Sequence, residues 1–254
     1  MTDADALLDA HLAGLAEALT PYRQVASLLG RWGAELAWTL GHGGRLLVAG
    51  NGGSAAEAQH LAAELVGKLR DDRTPLSAIA LTAETSSLTA ISNDFGFDEV
   101  FARQVRAHGR PGDILLLLST SGRSANLLAA AHAGHQAGLR CWACTGPAPN
   151  LLAEACDEVL AVPAADPQVV QELHLVSAHL LCEYVDRTLP SVLGLVGAVT
   201  GGLTADIPDS VGAVPPAAAQ PPGIAPAPVR SAPTPAGAAT VSGLPVVDSS
   251  GGRP

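Results

Sequence analysis

The chain has 254 residues, 48% of them hydrophobic and 15% charged, with a formal net charge of -10. That length supports one substantial core without requiring a second full domain. The acidic balance gives no broad electrostatic reason to lie on nucleic acid or anionic lipid, and four cysteines are too few for a disulfide scaffold.

The opening residues MTDADALLDAHLAGL lack the basic start and apolar run of a signal peptide. No apolar stretch reaches the ~18 residues of a membrane span. A cytoplasmic protein without nucleic-acid or membrane partners is expected. Two amphipathic segments then follow, near 3–19 and 22–39, with leucine and alanine at helical spacing.

Apolar runs next alternate with helical patterns. Residues 45–50 (RLLVAG), 77–81 (SAIAL), 114–119 (ILLLLS), 140–145 (RCWACT) and 158–162 (EVLAV) read as strands. Their unbroken apolar character suits strands covered on both faces. Segments near 54–69, 84–92, 98–107 and 124–137 read as helical. The alternation predicts an α/β fold, a doubly wound parallel five-stranded sheet flanked by helices. Cys141 and Cys144 form a C-x-x-C, but inside a buried strand they read as packing residues rather than a redox or metal pair.

A last helix is expected from Asp166-Pro167, an N-cap followed by proline at the first helical position, to about Arg187. From 191 onward, and most plainly from about 205, proline, alanine, glycine and valine dominate, which predicts a disordered tail. The expected division is thus a domain over 1–190 and a tail over 191–254. Cutting near residue 190 is expected to spare folding and activity.

Ligands of open α/β sheets bind beyond the carboxyl ends of the strands, and two loops there are polar. Gly50-Asn51-Gly52-Gly53-Ser54 lets a ligand approach the backbone at a helix start, with Ser54 and Glu57 spaced as a capping box. Ser119-Thr120-Ser121-Gly122-Arg123-Ser124 sets four hydroxyls beside a helix N-terminus, a phosphate cradle. On the helix after the first loop, His60 and Glu64 are about 40° apart, able to ligate a metal or to transfer protons. On the last helix, Gln171 and His179 are about 80° apart, whereas His174 is about 140° from His179 and reads as structural.

Five strings in this order, GNGGS at 50–54, Gln59-His60 with Glu64, NDFGF at 93–97, STSGRS at 119–124 and Gln171-Glu172-Leu173-His174 with His179, resemble the bacterial phosphoheptose isomerases of the sugar isomerase (SIS) superfamily. The resemblance covers everything but the tail and implies a flavodoxin-like sheet. It implies aldose–ketose isomerisation of D-sedoheptulose 7-phosphate to D-glycero-D-manno-heptose 7-phosphate through an enediol. It places phosphate on Ser119, Thr120, Ser121 and Ser124, and the rest of the substrate near Asn51, Gly52, Gly53, Asn93 and Asp94, with Glu64 and Gln171. It implies one zinc per subunit on His60, Glu64, Gln171 and His179, an acid–base pair of Glu64 and His179, and a homotetramer.

A sister group also comes close. Residues 54–60 (SAAEAQH), 102–107 (ARQVRA) and the ending Cys182…Asp186 resemble the non-enzymatic proteins that associate with the replication initiator DnaA. A pure binding scaffold has no need of a carboxylate at 64 or an imidazole at 179, so the enzyme reading is preferred. A regulator carrying a sugar-phosphate-sensing module would need a basic helix-turn-helix, which neither end offers.

Overall fold

The computed structural model describes residues 3–194. The tail expected beyond the domain lies, from residue 195, outside the described residues. Five parallel strands, β1 (Leu46–Gly50), β2 (Ala78–Ala80), β3 (Ile114–Ser119), β4 (Arg140–Thr145) and β5 (Glu158–Ala161), pair in the order β2-β1-β3-β4-β5. This is the flavodoxin-like doubly wound order, whose direction reverses between β1 and β3. The register Val48↔Leu116 and Leu118↔Cys144 aligns the carboxyl ends of the central strands, so the loops leaving them share one rim.

Each strand serves two cores, because successive side chains point to opposite faces. Leu46, Val48, Leu116, Leu118, Trp142 and Cys144 pack under α1 (Asp3–Tyr22), α2 (Ala26–Gly41), α3 (Gly53–Val66) and α8 (Pro167–Val192). Leu47, Ala49, Leu115, Leu117, Cys141 and Ala143 pack under α5 (Val100–His108), α6 (Ala125–Gln136) and α7 (Leu151–Ala155). On the first face Trp32 stacks on Trp142 with centroids 4.6 Å apart and planes 3° from parallel. Cys141 and Cys144 therefore lie on opposite faces of the sheet, both as free thiols, and cannot act as a pair.

Some elements differ from expectation. The first two helices are nearly continuous, joined by a tight 3-10 turn over Arg23–Val25. Helix α4 (Thr85–Phe95) runs three residues past its expected end. It takes Asn93 and Asp94 into its last turn and stops only at Gly96, whose φ of 89° suits glycine. The short α7 has no counterpart in the hydrophobic pattern, because five residues carry no periodicity. The Asn150 side chain makes it, accepting the Ala153 amide as N-cap. Helix α8 begins as expected, with Asp166 accepting the Gln168 amide, but continues to Val192. Leu189, buried against the first core, holds that last turn in place.

Candidate active site

The loop after β1 turns at Gly52, with φ of 57°, and enters α3 at Gly53. The expected capping box is absent. The helix is capped two residues early, at Gly52, which offers no side chain, and Ser54 is buried against Gly50. Glu57 is left with a buried, unpartnered Oε2, and burial pushes its carboxyl up to about 7.

The loop after β3 turns at Gly122, with φ of 61°, where an added Cβ would stand 2.0 Å from Asn150 Oδ1. Inside this loop Ser119 Oγ accepts the Gly122 amide at 3.1 Å, and Ser121 Oγ accepts the Arg123 amide at 3.3 Å. Those hydroxyls accept from the backbone, so their protons remain free to donate outward. Ser124 is the N-cap residue of α6, with its side chain making no cap bond.

Asn51 and Asn126 join the two loops by two reciprocal amide bonds, both 2.9 Å, across the reversal of strand order. One asparagine early in a helix carries no signal in the sequence, so only the fold brings Asn126 to the site. A cavity of about 80 Å³ opens here, between Asn51 and Ser54 on one side and Ser119, Thr120, Ser121 and Ser124 on the other. Gln171 of α8 closes it, and among the described residues its amide has no hydrogen-bond partner. The space is well below that of a whole small-molecule pocket and suits one oxyanion facing hydroxyl donors and the α6 N-terminus.

Gly53 allows this arrangement. A Cβ there would stand 2.6 Å from Gln171 Oε1 and 2.7 Å from Nε2. Gly53→Ala should displace the Gln171 amide, at the far end of a flexible side chain, with little cost to the fold. We expect kcat/KM to fall by one to two orders of magnitude, with stability changed by less than about 1 kcal/mol. Steady-state kinetics beside a thermal melt will check this.

A second cluster lies where α3 and α8 meet. His60 and His179 bring their Nε2 atoms to 3.0 Å, with rings at 74°. Glu64 Oε1 is 3.6 Å from His60 Nε2, and Glu64 Oε2 is buried without a partner. Two imidazole nitrogens can face each other at this distance only across a shared proton or a cation. The unpartnered carboxylate oxygen beside them supplies negative charge. This donor set fits a divalent ion, and the 3.0 Å separation is close to the roughly 3.3 Å of two nitrogens on a tetrahedral zinc.

Arg73 holds this cluster from behind. Its guanidinium donates to the carbonyls of Glu64 at 2.8 Å and Leu65 at 2.7 Å, and its Nε to Asp186 of α8 at 2.7 Å. It thereby satisfies the open carboxyl end of α3 and ties that helix to α8. Sequence spacing gave no sign of it.

The remaining expected residues sit apart. Asn93 donates to Asp94 at 2.8 Å, and both are exposed at the end of α4, outside the cavity lining. His174 is buried and lies 3.2 Å from the Thr145 carbonyl, in a structural position as expected.

Residues 23–146 match the SIS domain family model. The chain is 62% identical over 179 residues to a phosphoheptose isomerase of Streptomyces coelicolor, covering 70% of this chain and 78% of that protein. It is 46% identical over 189 residues to a phosphoheptose isomerase of a Bradyrhizobium species, covering 73% and 96%. Among solved structures, the phosphoheptose isomerase of Neisseria gonorrhoeae superposes with a TM-score of 0.67 at 40% identity, covering 72% of this chain and 99% of that one. That of Francisella tularensis superposes with 0.68 at 32%, covering 74% and 100%.

Proposed function

Since the chain belongs to the phosphoheptose isomerase family of SIS-domain proteins, and is an isomerase acting on a sugar phosphate, we propose that it converts D-sedoheptulose 7-phosphate to D-glycero-D-manno-heptose 7-phosphate. The observation that carries the reading is the pairing of a donor-lined cavity of oxyanion size with an imidazole–carboxylate cluster on the neighbouring helices.

In this reading Ser119, Thr120, Ser121 and Ser124 donate to the phosphate oxygens at the α6 N-terminus. Asn51, Gly52 and Gly53 leave room for the sugar chain, and Asn93 and Asp94, which lie outside the cavity at the exposed end of α4, are assigned to the hydroxyls that extend beyond it. Isomerisation removes a proton from C1 and returns one to C2, through a cis-enediol, while the oxygens exchange their own proton. Glu64 and His179 carry these transfers between them. Zinc held by His60, Glu64, Gln171 and His179 would supply Lewis-acid polarisation of the substrate oxygens. Arg73 keeps α3 and α8 in register, so the two groups stay at working distance.

A homotetramer working in the cytoplasm completes the proposal. Apolar side chains stand in solvent on α1 (Leu7, Leu8, Leu12) and α8 (Leu175, Val176, Leu180), a surface that further subunits would cover. Among the described residues, no helix is long and apolar enough to cross a membrane. The domain is proposed to span 1–190 and to work without the tail.

The test is turnover of sedoheptulose 7-phosphate by metal-stripped and zinc-reloaded protein. Zinc-dependent formation of the aldoheptose phosphate is expected. Folded, metal-loaded protein that gives no product would sink the proposal and favour a non-catalytic binding role.

A further inference from the structure

At the opposite rim of the sheet, where β4 and β5 begin, three elements converge on a second set of metal-ligating groups. His135 in the last turn of α6, Cys141 in β4 and Asp157 before β5 bring a ring nitrogen, a sulfur and a carboxylate oxygen within 4.8 Å of one another.

The tautomer of His135 follows from its partner. Its Nε2 lies 3.0 Å from the Ala155 carbonyl, which can only accept, so Nε2 carries a proton. In the neutral ring Nδ1 is then a bare lone pair, and it faces Asp157 Oδ2 at 4.0 Å. That distance is too long for a hydrogen bond. Asp157 Oδ2 is itself fixed by the Cys141 amide at 2.7 Å. The sulfur makes only weak contacts, 3.6 Å to the Ala131 carbonyl and 3.8 Å to that of Leu139. Gly134 gives it room, for a Cβ there would stand 2.7 Å away.

Two features common to metal ligands are thus already built. The imidazole has its second nitrogen oriented by a backbone carbonyl, and the carboxylate is held by an amide. His135 and Asp157 are exposed while Cys141 is buried, so an ion can enter from solvent. Closing 4.0 Å to the roughly 3.3 Å between nitrogen and oxygen ligands of a tetrahedral ion takes only rotation of two exposed side chains.

We propose that His135, Cys141 and Asp157 form a second divalent-metal site, for a zinc-class ion, distinct from the His60–Glu64–His179 cluster. A mixed sulfur, nitrogen and oxygen set of three ligands suits zinc or cobalt, with water in the fourth position. On binding, the Cys141 thiol forms a sulfur–metal bond and its proton leaves to solvent.

Cobalt(II) titration of the metal-stripped full chain tests this apart from catalysis. The ligands proposed for the first cluster include no sulfur, so a thiolate-to-cobalt charge-transfer band in the near ultraviolet that Cys141→Ser abolishes reports the second site. The band is expected in the wild type and in His60→Ala. It should be lost in Cys141→Ser, and its cobalt affinity should fall at least tenfold in Asp157→Asn and His135→Gln. The two surface variants decide the matter if the buried serine impairs folding. Cobalt-loaded wild type without the band, or a band unchanged in Asp157→Asn and His135→Gln, would overturn the assignment.

Discussion

Glu64→Gln and His179→Ala should each lower turnover of sedoheptulose 7-phosphate by about 10²–10⁴-fold, the usual worth of a positioned acid or base. Both side chains sit at the meeting of α3 and α8 with His60, and neither belongs to the apolar core. Melting temperatures should therefore stay near wild type. Groups that act as a unit are not additive, so the double variant should lose little more than the worse single one. Alanine at Ser119 or Thr120 should instead raise KM, because those hydroxyls line the cavity proposed to hold the phosphate. Steady-state kinetics on the four variants will separate the two patterns. If Glu64→Gln and His179→Ala keep wild-type kcat, the proton-transfer assignment is wrong.

The second large effect concerns stability in acid. His174 is 1% exposed and donates from Nε2 to the Thr145 carbonyl, leaving Nδ1 buried without a partner. Burial lowers it from 6.5 to about 4. Between those values the unfolded chain takes up a proton that the folded one refuses. Its contribution is thus intact above pH 6.5 and declines as pH falls through 4, by about 3 kcal/mol in all. That is a large part of the 5–15 kcal/mol typical of a domain.

Glu57 opposes it. Burial raises its carboxyl from 4.5 to about 7, so the folded state holds a proton that the unfolded state releases, and stability grows as pH falls from 7 toward 4.5. This group is half-buried, and solvent screening makes its slope the shallower one. Urea unfolding from pH 7.5 to 4 should therefore show a modest net decline in the wild type. Glu57→Gln should steepen the decline, and His174→Gln should reverse it. Parallel curves for all three proteins would refute both assignments.

The sheet was legible because its central strands are buried on both faces, which turns the hydrophobic pattern into unbroken runs such as ILLLLS. Cys141 and Cys144 read as packing residues because their C-x-x-C falls inside such a run, and the strand's alternation puts them on opposite faces. The two polar loops were legible because glycine- and serine-rich turns follow two unbroken apolar strands at their carboxyl ends. What escaped notice acts through tertiary contact. Asn126 matters only because Asn51 faces it, and Arg73 only because α3 ends within its reach. Asn93 and Asp94 lie past the helix expected near 84–92, yet the helix keeps them until Gly96. The capping box failed because glycine at 52 and 53 let the helix begin earlier.

The alternation of each strand between two cores also governs how this molecule comes apart. Ile114, Leu116 and Leu118 serve one helical layer, and Leu115 and Leu117 serve the other. Peeling away either layer would strip half the side chains from the middle strand, so neither layer forms a stable partial structure without the other. The amides of β3 should then exchange with deuterium only when the whole domain opens. Those of α4, which has no buried side chain, should exchange by local fraying long before.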